Sequence, residues 1–221
     1  MKRNCSLEEI SDGKLYGLND MVKAGCGDCN GCSACCKGMG HSIVLDPYDV
    51  NRLLLHLNMS FEQLLAASVE LNVVDGVILP NLKMQDQEDS CIFLNEQGRC
   101  SIHTARPGIC RIFPLGRYYE NDDFSYILQV HECKKSNRTK VKVSKWIDTP
   151  DIKKNELFIK QWHSLVKSIQ KLAVDGLEDA LLKQLNLTVL TKFYMQPFDP
   201  NVDFYDQFQA RLDEVNSFNL L

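Results

Sequence analysis

The hydrophobic pattern of the last third of the chain is helical. Apolar residues recur every three or four positions in two sets, which are Phe158, Trp162, Leu165, Ile169 and Leu172, and then Phe204, Phe208, Leu212 and Val215. This spacing places each set on one face of an α-helix. Asp148 or Thr149 is the predicted N-cap of the first helix, and Gly176 is its predicted end. With a further helical stretch over 177–194, we predict that residues 150–218 are mostly helical.

Shorter segments upstream have the patterns of hairpins and short helices. "LNVVDGVILP" predicts two strands around an Asp75-Gly76 turn, and "GRYYENDDFSYILQV" predicts a second hairpin with "NDD" as its turn. "HSIVLDP" predicts a short strand that ends at Asp46, which then caps a helix in "YDVNRLLLHLN". Ser60 is the predicted cap of a helix in "SFEQLLAASVE", with Gln63 completing a capping box.

The cysteines are unevenly distributed along the chain. Nine of the ten lie between Cys26 and Cys133, and only Cys5 lies outside that stretch. We therefore predict an α+β fold, in which an irregular cysteine-rich module with short hairpins precedes a helical C-terminal region. The predicted divisions are an N-terminal segment 1–25, a cysteine-cluster module 26–134 and a helical region 135–221.

The composition is that of an ordinary globular protein. The 221 residues are 44% hydrophobic and 24% charged, so the chain can bury a core without disulfides. The net charge of -4 weighs against a nucleic-acid partner. No export signal and no run of about 18 apolar residues is visible, which predicts a cytoplasmic protein with no membrane partner. Thiols stay reduced in that compartment, so metal binding or thiol chemistry is the expected role of the cysteines.

The cysteine pattern points to metal ligands. Five cysteines lie within eleven positions, namely Cys26, Cys29, Cys32, Cys35 and Cys36. Thiolates are soft ligands for zinc, copper(I) and iron–sulfur clusters, and a separation of two residues lets one turn bring both sulfurs to one ion. Because neighbouring side chains diverge, we expect Cys35 and Cys36 to serve different metal ions or different irons of one cluster. Counted with the last four of these five cysteines, four more cysteines downstream make two sets of four thiols, and the downstream residues are Cys91, Cys100, Cys110 and Cys133.

The spacing leaves the choice of metal open. Cys26, Cys29, Cys32 and Cys36 have the C-x2-C-x2-C-x3-C spacing of a bacterial ferredoxin, but Lys37 replaces the proline that follows in that motif. An iron–sulfur cluster is slightly favoured, with zinc as the alternative. Four basic residues beside ligand positions can offset thiolate charge, and among them we expect Arg106 and Arg111 to lie near the sulfurs; the full set is Lys37, Arg99, Arg106 and Arg111. His103 is a possible additional ligand, although a structural role is the more common one for such a histidine.

Two stretches of the sequence resemble a known family. "CNGCSACC" at 29–36 and "CIFLNEQGRCSIHTARPGICRIFPLG" at 91–116, followed by Cys133, resemble the CxxCxxCC (YkgJ-type) cysteine-cluster family over roughly residues 26–134. The resemblance implies a zinc- or iron-chelating domain. It implies metal ligation by eight cysteines, with Cys26 as a possible ninth: Cys29, Cys32, Cys35, Cys36, Cys91, Cys100, Cys110 and Cys133. A more distant similarity to the cysteine cluster of flagellin lysine-N-methylases implies a possible methyltransferase.

Three functional hypotheses follow from the sequence. The first is a metal-binding protein in which iron–sulfur or zinc has a structural or electron-transfer role. The second is an enzyme that acts on a protein substrate, either methyltransferase-like or redox, although no catalytic residue can be named. The third is metal chelation or delivery. The expected partners are a metal ion and a protein bound through the C-terminal helices.

Overall fold

A computed structural model of the protein describes residues 6–27, 32–85 and 89–217. Cys5 and the predicted ligand Cys29 lie outside the described residues. The helices in this part of the chain are α1 (Leu7–Ile10), α2 (Pro47–Leu57), α3 (Phe61–Ala67), α4 (Gly108–Ile112), α5 (Val143–Ile147), α6 (Ile152–Val174), α7 (Asp179–Leu190) and α8 (Phe204–Ser217). The strands are β1 (Met21–Gly25), β2 (Val69–Val74), β3 (Val77–Leu82), β4 (Met84–Gln85), β5 (Ser90–Cys91), β6 (Leu115–Glu120), β7 (Asp123–Leu128) and β8 (Thr139–Lys142).

The chain forms two compact units that are each discontinuous in sequence. The first consists of Met1–Ile43 and Lys83–Ile152, and the second of Val44–Leu82 and Lys153–Leu221. Residues 44–82 therefore pack with the C-terminal helices, although they lie inside the predicted module 26–134. The division at 25/26 and 134/135 is based on cysteine content and stays a prediction.

The first unit is built from antiparallel strand pairs. Strand β1 pairs with β8, with Val22 opposite Val141, and β6 pairs with β7. Asn121 and Asp122 connect β6 to β7 with φ angles of 49° and 62°, the left-handed values that a two-residue type I′ turn requires. One face of these strands packs on α4 and α5 in a core that includes Val22, Leu115 and other apolar side chains.

The second unit combines the β2–β3 hairpin with α2, α3 and the three C-terminal helices. Phe158 of α6 and Phe208 of α8 meet edge to face, with ring centroids 4.6 Å apart. The buried Tyr194 hydroxyl donates a hydrogen bond to the carbonyl of Leu45, at 3.0 Å. Helix α7 continues into a π-helical turn, Thr191–Met195, whose Phe193 joins the same aromatic core. The residues predicted to form the helical stripes are thus buried against each other, except that Leu172 is half-buried.

The predicted fold class is confirmed, because short antiparallel hairpins precede a helical C-terminal region in an α+β fold. Both predicted hairpins are present, and Asp46 and Ser60 cap α2 and α3 with reciprocal capping boxes. The predicted strand before Asp46 is wrong, since only an isolated bridge between Val44 and Asn81 forms there. Helix α3 ends at Ala67, earlier than predicted, because the following residues join β2.

The predicted start of the long helix is also wrong. Asp148 has a φ of 47° and terminates α5, which places it at the C-terminal end of one helix rather than at the N-cap of the next. Helix α6 begins only at Ile152. Among the described residues, no helix is both long enough and apolar enough to cross a membrane.

Candidate metal centre

The first part of the site is a short 3₁₀ turn, Ala34–Cys36, in which the Cys36 backbone N–H donates to the carbonyl of Ser33 at 2.9 Å. The thiols of Cys35 and Cys36 are hydrogen-bonded to each other, and this contact is the largest cause of the raised pKa of Cys35. The expectation that these two side chains diverge is therefore wrong. The tight turn directs the neighbouring sulfurs toward the same place.

Backbone pairing brings this turn to the strand that carries Cys91. Lys37 forms a bridge with Ser90, and the Gly38 N–H donates to the carbonyl of Asp89 at 2.7 Å. Strand β5, which ends at Cys91, also pairs with β4. The cysteine turn is thereby attached to a segment more than fifty positions further along the chain.

Cys91 and Cys100 belong to one looped segment in which each sulfur accepts a backbone N–H. Leu94 forms a bridge with Cys100 and so closes the loop. The N–H of Phe93 is bonded to the Cys91 sulfur, and the N–H of Ile102 is bonded to the Cys100 sulfur. Burial raises the pKa of both thiols, while these N–H groups lower it because they favour the charged form. Each donor lies two residues after its cysteine, a detail that the cysteine count alone did not reveal.

The three thiols of Cys35, Cys91 and Cys100 occupy one neighbourhood. The charge of Cys35 raises the pKa of both Cys91 and Cys100, and that of Cys100 raises the pKa of Cys91. Like-charge effects of this kind act between groups that are close in space. The site thus joins the first cysteine run to the downstream cysteines.

Arg106 supplies positive charge near Cys35 and Cys100. Its guanidinium lowers the pKa of Cys35 and Cys100, although the hydrogen bond to Cys36 outweighs it at Cys35 and burial outweighs it at Cys100. The Arg106 Nη1 donates to Nε2 of His103 at 2.6 Å, so this ring nitrogen serves as an acceptor for the arginine. The Arg106 Nε is buried and has no hydrogen-bond partner among the described residues. A buried N–H without an acceptor fits a position beside sulfur that becomes charged.

Arg111 donates hydrogen bonds to backbone carbonyls of two separate segments. It is 6% exposed, and its guanidinium donates to the carbonyls of Thr104 at 2.7 Å and Asp148 at 3.1 Å. These bonds fix the segment around the short helix α4 against the end of α5. These contacts support the loop, and the expectation that Arg111 lies near the sulfurs stays a prediction.

The remaining cysteines lie on separate elements of the first unit. Cys26 is buried directly after β1, and Cys32, Cys110 and Cys133 are half-buried in the first loop, on α4 and before β8. Within residues 6–27, 32–85 and 89–217, no group of three or more Cys, His, Asp or Glu side chains has the arrangement of a metal site. The eight-cysteine ligand set, which includes Cys29, thus stays a prediction.

The comparison with protein families bears directly on this cluster. A family model, CxxCxxCC, described as "Putative zinc- or iron-chelating domain", matches residues 28–145, more than half of the chain. The chain belongs to the CxxCxxCC family. The match extends beyond the last cysteine and takes in β8 and the start of α5. Searches of curated proteins and of solved structures give no match.

The donor set of this CxxCxxCC protein fits the metals in the family description. Thiolates bind both zinc and iron–sulfur clusters, while carboxylate-rich sites suit harder cations. The N–H groups of Phe93 and Ile102 and the guanidinium of Arg106 all stabilise negative charge on sulfur. The chemistry of the cluster is therefore suited to thiolate ligands, which both metals require.

Proposed function

We propose that this CxxCxxCC protein binds iron or zinc through cysteine thiolates, with the metal in a structural or electron-transfer role. The observation that supports this proposal is the bridge between Lys37 and Ser90, which places the turn of Cys35 and Cys36 next to the strand that carries Cys91. Backbone N–H donors at sulfur stabilise a thiolate and orient it, as the groups around metal ligands commonly do.

The proposed ligand set is the full family-type set of eight thiols. Cys35 and Cys36 belong to one centre in this proposal, because their mutual hydrogen bond holds both sulfurs together. Two thiolates on one tetrahedral zinc lie roughly 3.8 Å apart, given Zn–S bonds of about 2.3 Å, a separation that hydrogen-bonded sulfurs also adopt. Cys26 is buried after β1 and remains a possible further ligand.

An iron–sulfur cluster is the preferred cofactor and zinc is the alternative. The preference rests on the all-cysteine donor set and on the ferredoxin-like spacing of Cys26, Cys29, Cys32 and Cys36. A cytoplasmic location would keep the thiols reduced and available for either metal. The enzyme and metal-delivery alternatives stay predictions from the sequence.

Anaerobic purification tests the proposal directly. The full chain should contain about four or more irons with matching sulfide and a visible charge-transfer band, or about two zincs without colour. Cys35→Ser and Cys36→Ser should each lower the metal content, and they should deplete the same component if the pair serves one centre. Cys5→Ser is the matched control, because Cys5 lies outside the family match and should leave the content unchanged.

A wild-type protein that is folded but metal-free after anaerobic purification from metal-supplemented cells would overturn the proposal. Equal metal loss in Cys5→Ser would also contradict it, since the effect would then not depend on the cluster. Circular dichroism of each variant separates loss of metal from loss of fold.

A further inference from the structure

A run of positive charge follows the last cysteine. Half of the twelve residues from 134 to 145 are basic and none is acidic, so this run has a net charge of +6. The whole chain has a net charge of -4, and the rest of the chain therefore has a net charge of -10. The basic residues of the run are Lys134, Lys135, Arg138, Lys140, Lys142 and Lys145. None of these six residues is among the basic residues that are expected to offset thiolate charge.

The fold displays part of this run on the outer face of the β1–β8 pair. Val22 lies opposite Val141 and is fully buried, so that side of the ribbon faces the core. Side chains alternate along a strand, and therefore Met21, Lys23 and Lys142 belong to the other side. Met21 is directly opposite Lys142 and is 54% exposed.

The lysines of this ribbon and of the segments beside it are accessible. Lys23, Lys134, Lys140 and Lys145 are exposed, and none of them forms an ion pair with another described residue. Like charges on one face of a strand pair are destabilising. A binding partner of opposite charge would remove that repulsion.

We propose that this basic face, defined by Met21, Lys23, Lys140 and Lys142, binds an extended acidic segment of a partner protein. Along a strand, alternate side chains lie about 6.6–6.8 Å apart, which matches the spacing of alternate carboxylates in an extended peptide. The exposed Met21, which is paired with Lys142, adds an apolar contact to the charged face. Complementary charge of this kind raises the association rate and favours partners of the opposite sign.

A polypeptide is a better fit than a nucleic acid. Nucleic-acid-binding domains are typically basic overall, whereas this chain has a sequence pI of about 5.7. Single-stranded nucleic acids also need aromatic side chains on which bases can stack. The basic face, as defined, contributes lysines and a methionine and no aromatic residue.

The test measures binding of the full-length protein to a fluorescein-labelled oligo-glutamate peptide of about ten residues by anisotropy. The triple variant Lys23→Gln, Lys140→Gln and Lys142→Gln should bind about tenfold more weakly, because each exposed charge pair contributes modestly. Raising the salt from about 50 to about 200 mM should weaken wild-type binding, since exposed charges are then screened. An oligo-thymidylate of equal length is the competing probe.

The control is a triple variant with the same change of net charge on α6 and α7: Lys153→Gln, Lys171→Gln and Lys183→Gln, all at exposed positions. It should bind the peptide as the wild type does. Equal weakening in the control would show that only net charge matters and would overturn the proposal. Undetectable peptide binding, or tighter binding to oligo-thymidylate than to oligo-glutamate, would also overturn it.

Discussion

Asn186 holds the β2–β3 hairpin to helix α7, and its replacement should destabilise the second unit. The side chain is 3% exposed. Its Oδ1 accepts from the Ile78 N–H at 2.7 Å, and its Nδ2 donates to the Gly76 carbonyl at 3.1 Å. Because Val74 and Val77 are paired across a two-residue turn, the Ile78 N–H points away from β2. Asn186 thus makes hydrogen bonds to the hairpin backbone that a neighbouring strand would otherwise make.

The expected loss of stability follows from these two hydrogen bonds between Asn186 and the hairpin. Asn186→Ala leaves one backbone donor and one acceptor without their partner, and an unsatisfied buried polar group costs about 1–3 kcal/mol. Gly76 and Ile78 are themselves half-buried, so water can reach them in part. We therefore expect a loss of about 2–3 kcal/mol in the free energy of unfolding. For a chain of this size that corresponds to a fall of about 5–10 °C in Tm.

Urea unfolding followed by fluorescence gives the measurement. The protein has two tryptophans, and Trp162 lies in the second unit while Trp146 lies in the first. A Trp146→Phe background therefore reports on the second unit alone. Thr188→Ala is the matched control, since the Thr188 hydroxyl bonds only within its own helix, to Gln184 at 3.0 Å, and it should change stability by under about 0.5 kcal/mol.

A second substitution separates hydrogen bonding from packing. Asn186→Leu preserves most of the side-chain volume but none of the hydrogen bonds, so it should be nearly as destabilising as Asn186→Ala. Wild-type stability in Asn186→Leu would refute the reasoning, because the bonds to Ile78 and Gly76 would then contribute nothing measurable.

Three further predictions concern the first unit. Arg106→Gln should weaken metal retention in chelator competition by about 10- to 100-fold, as loss of a group that supports a ligand does, and unchanged retention would contradict the charge argument. Gly25→Ala should destabilise the β1–β8 pair because the added Cβ would collide with Thr139 Oγ1. Gly17→Ala is the control, since its Cβ would meet only an ordinary contact at 3.6 Å. Equal midpoints of urea unfolding for the two variants would show that β8 can adjust. Burial and a hydrogen bond raise the pKa of Tyr16 to about 12, so its contribution to stability should be complete below about pH 10 and lost as the pH rises through 12. A difference titration of absorbance against Tyr16→Phe should show this late ionisation, and a midpoint near 10 would contradict it.

Local features of the chain were predictable because their causes are local. The caps at Asp46 and Ser60 satisfy backbone N–H groups within the same turn, so a few residues suffice to recognise them. The stripe containing Phe158 and Trp162 follows from the helical period, and its burial follows from its apolar character. The Asp75-Gly76 turn was equally predictable from the sequence, since both residues adopt the positive φ that such a turn requires.

The sequence also determined the chemistry of the site but not its arrangement. The family-type cysteine pattern was visible as spacing alone, and the family match confirms the resemblance. The contact between Cys35 and Cys36 was predicted wrongly, because a 3₁₀ turn overrides the usual divergence of neighbouring side chains. Which thiols each arginine affects likewise depended on position in space: Arg106 lowers the pKa of both Cys35 and Cys100, and Arg99 lowers that of Cys100.

Tertiary structure alone decided which distant segments meet. Strand β1 pairs with β8 more than one hundred positions later, and neither strand has a pattern that names its partner. Residues 44–82 join the C-terminal helices because their apolar faces need burial, and the hydrophobic effect is not directional enough for a sequence to specify the surface that provides it. Local sequence thus determined the helices, the turns and the cysteine pattern of this protein, while long-range packing determined which segments share a core.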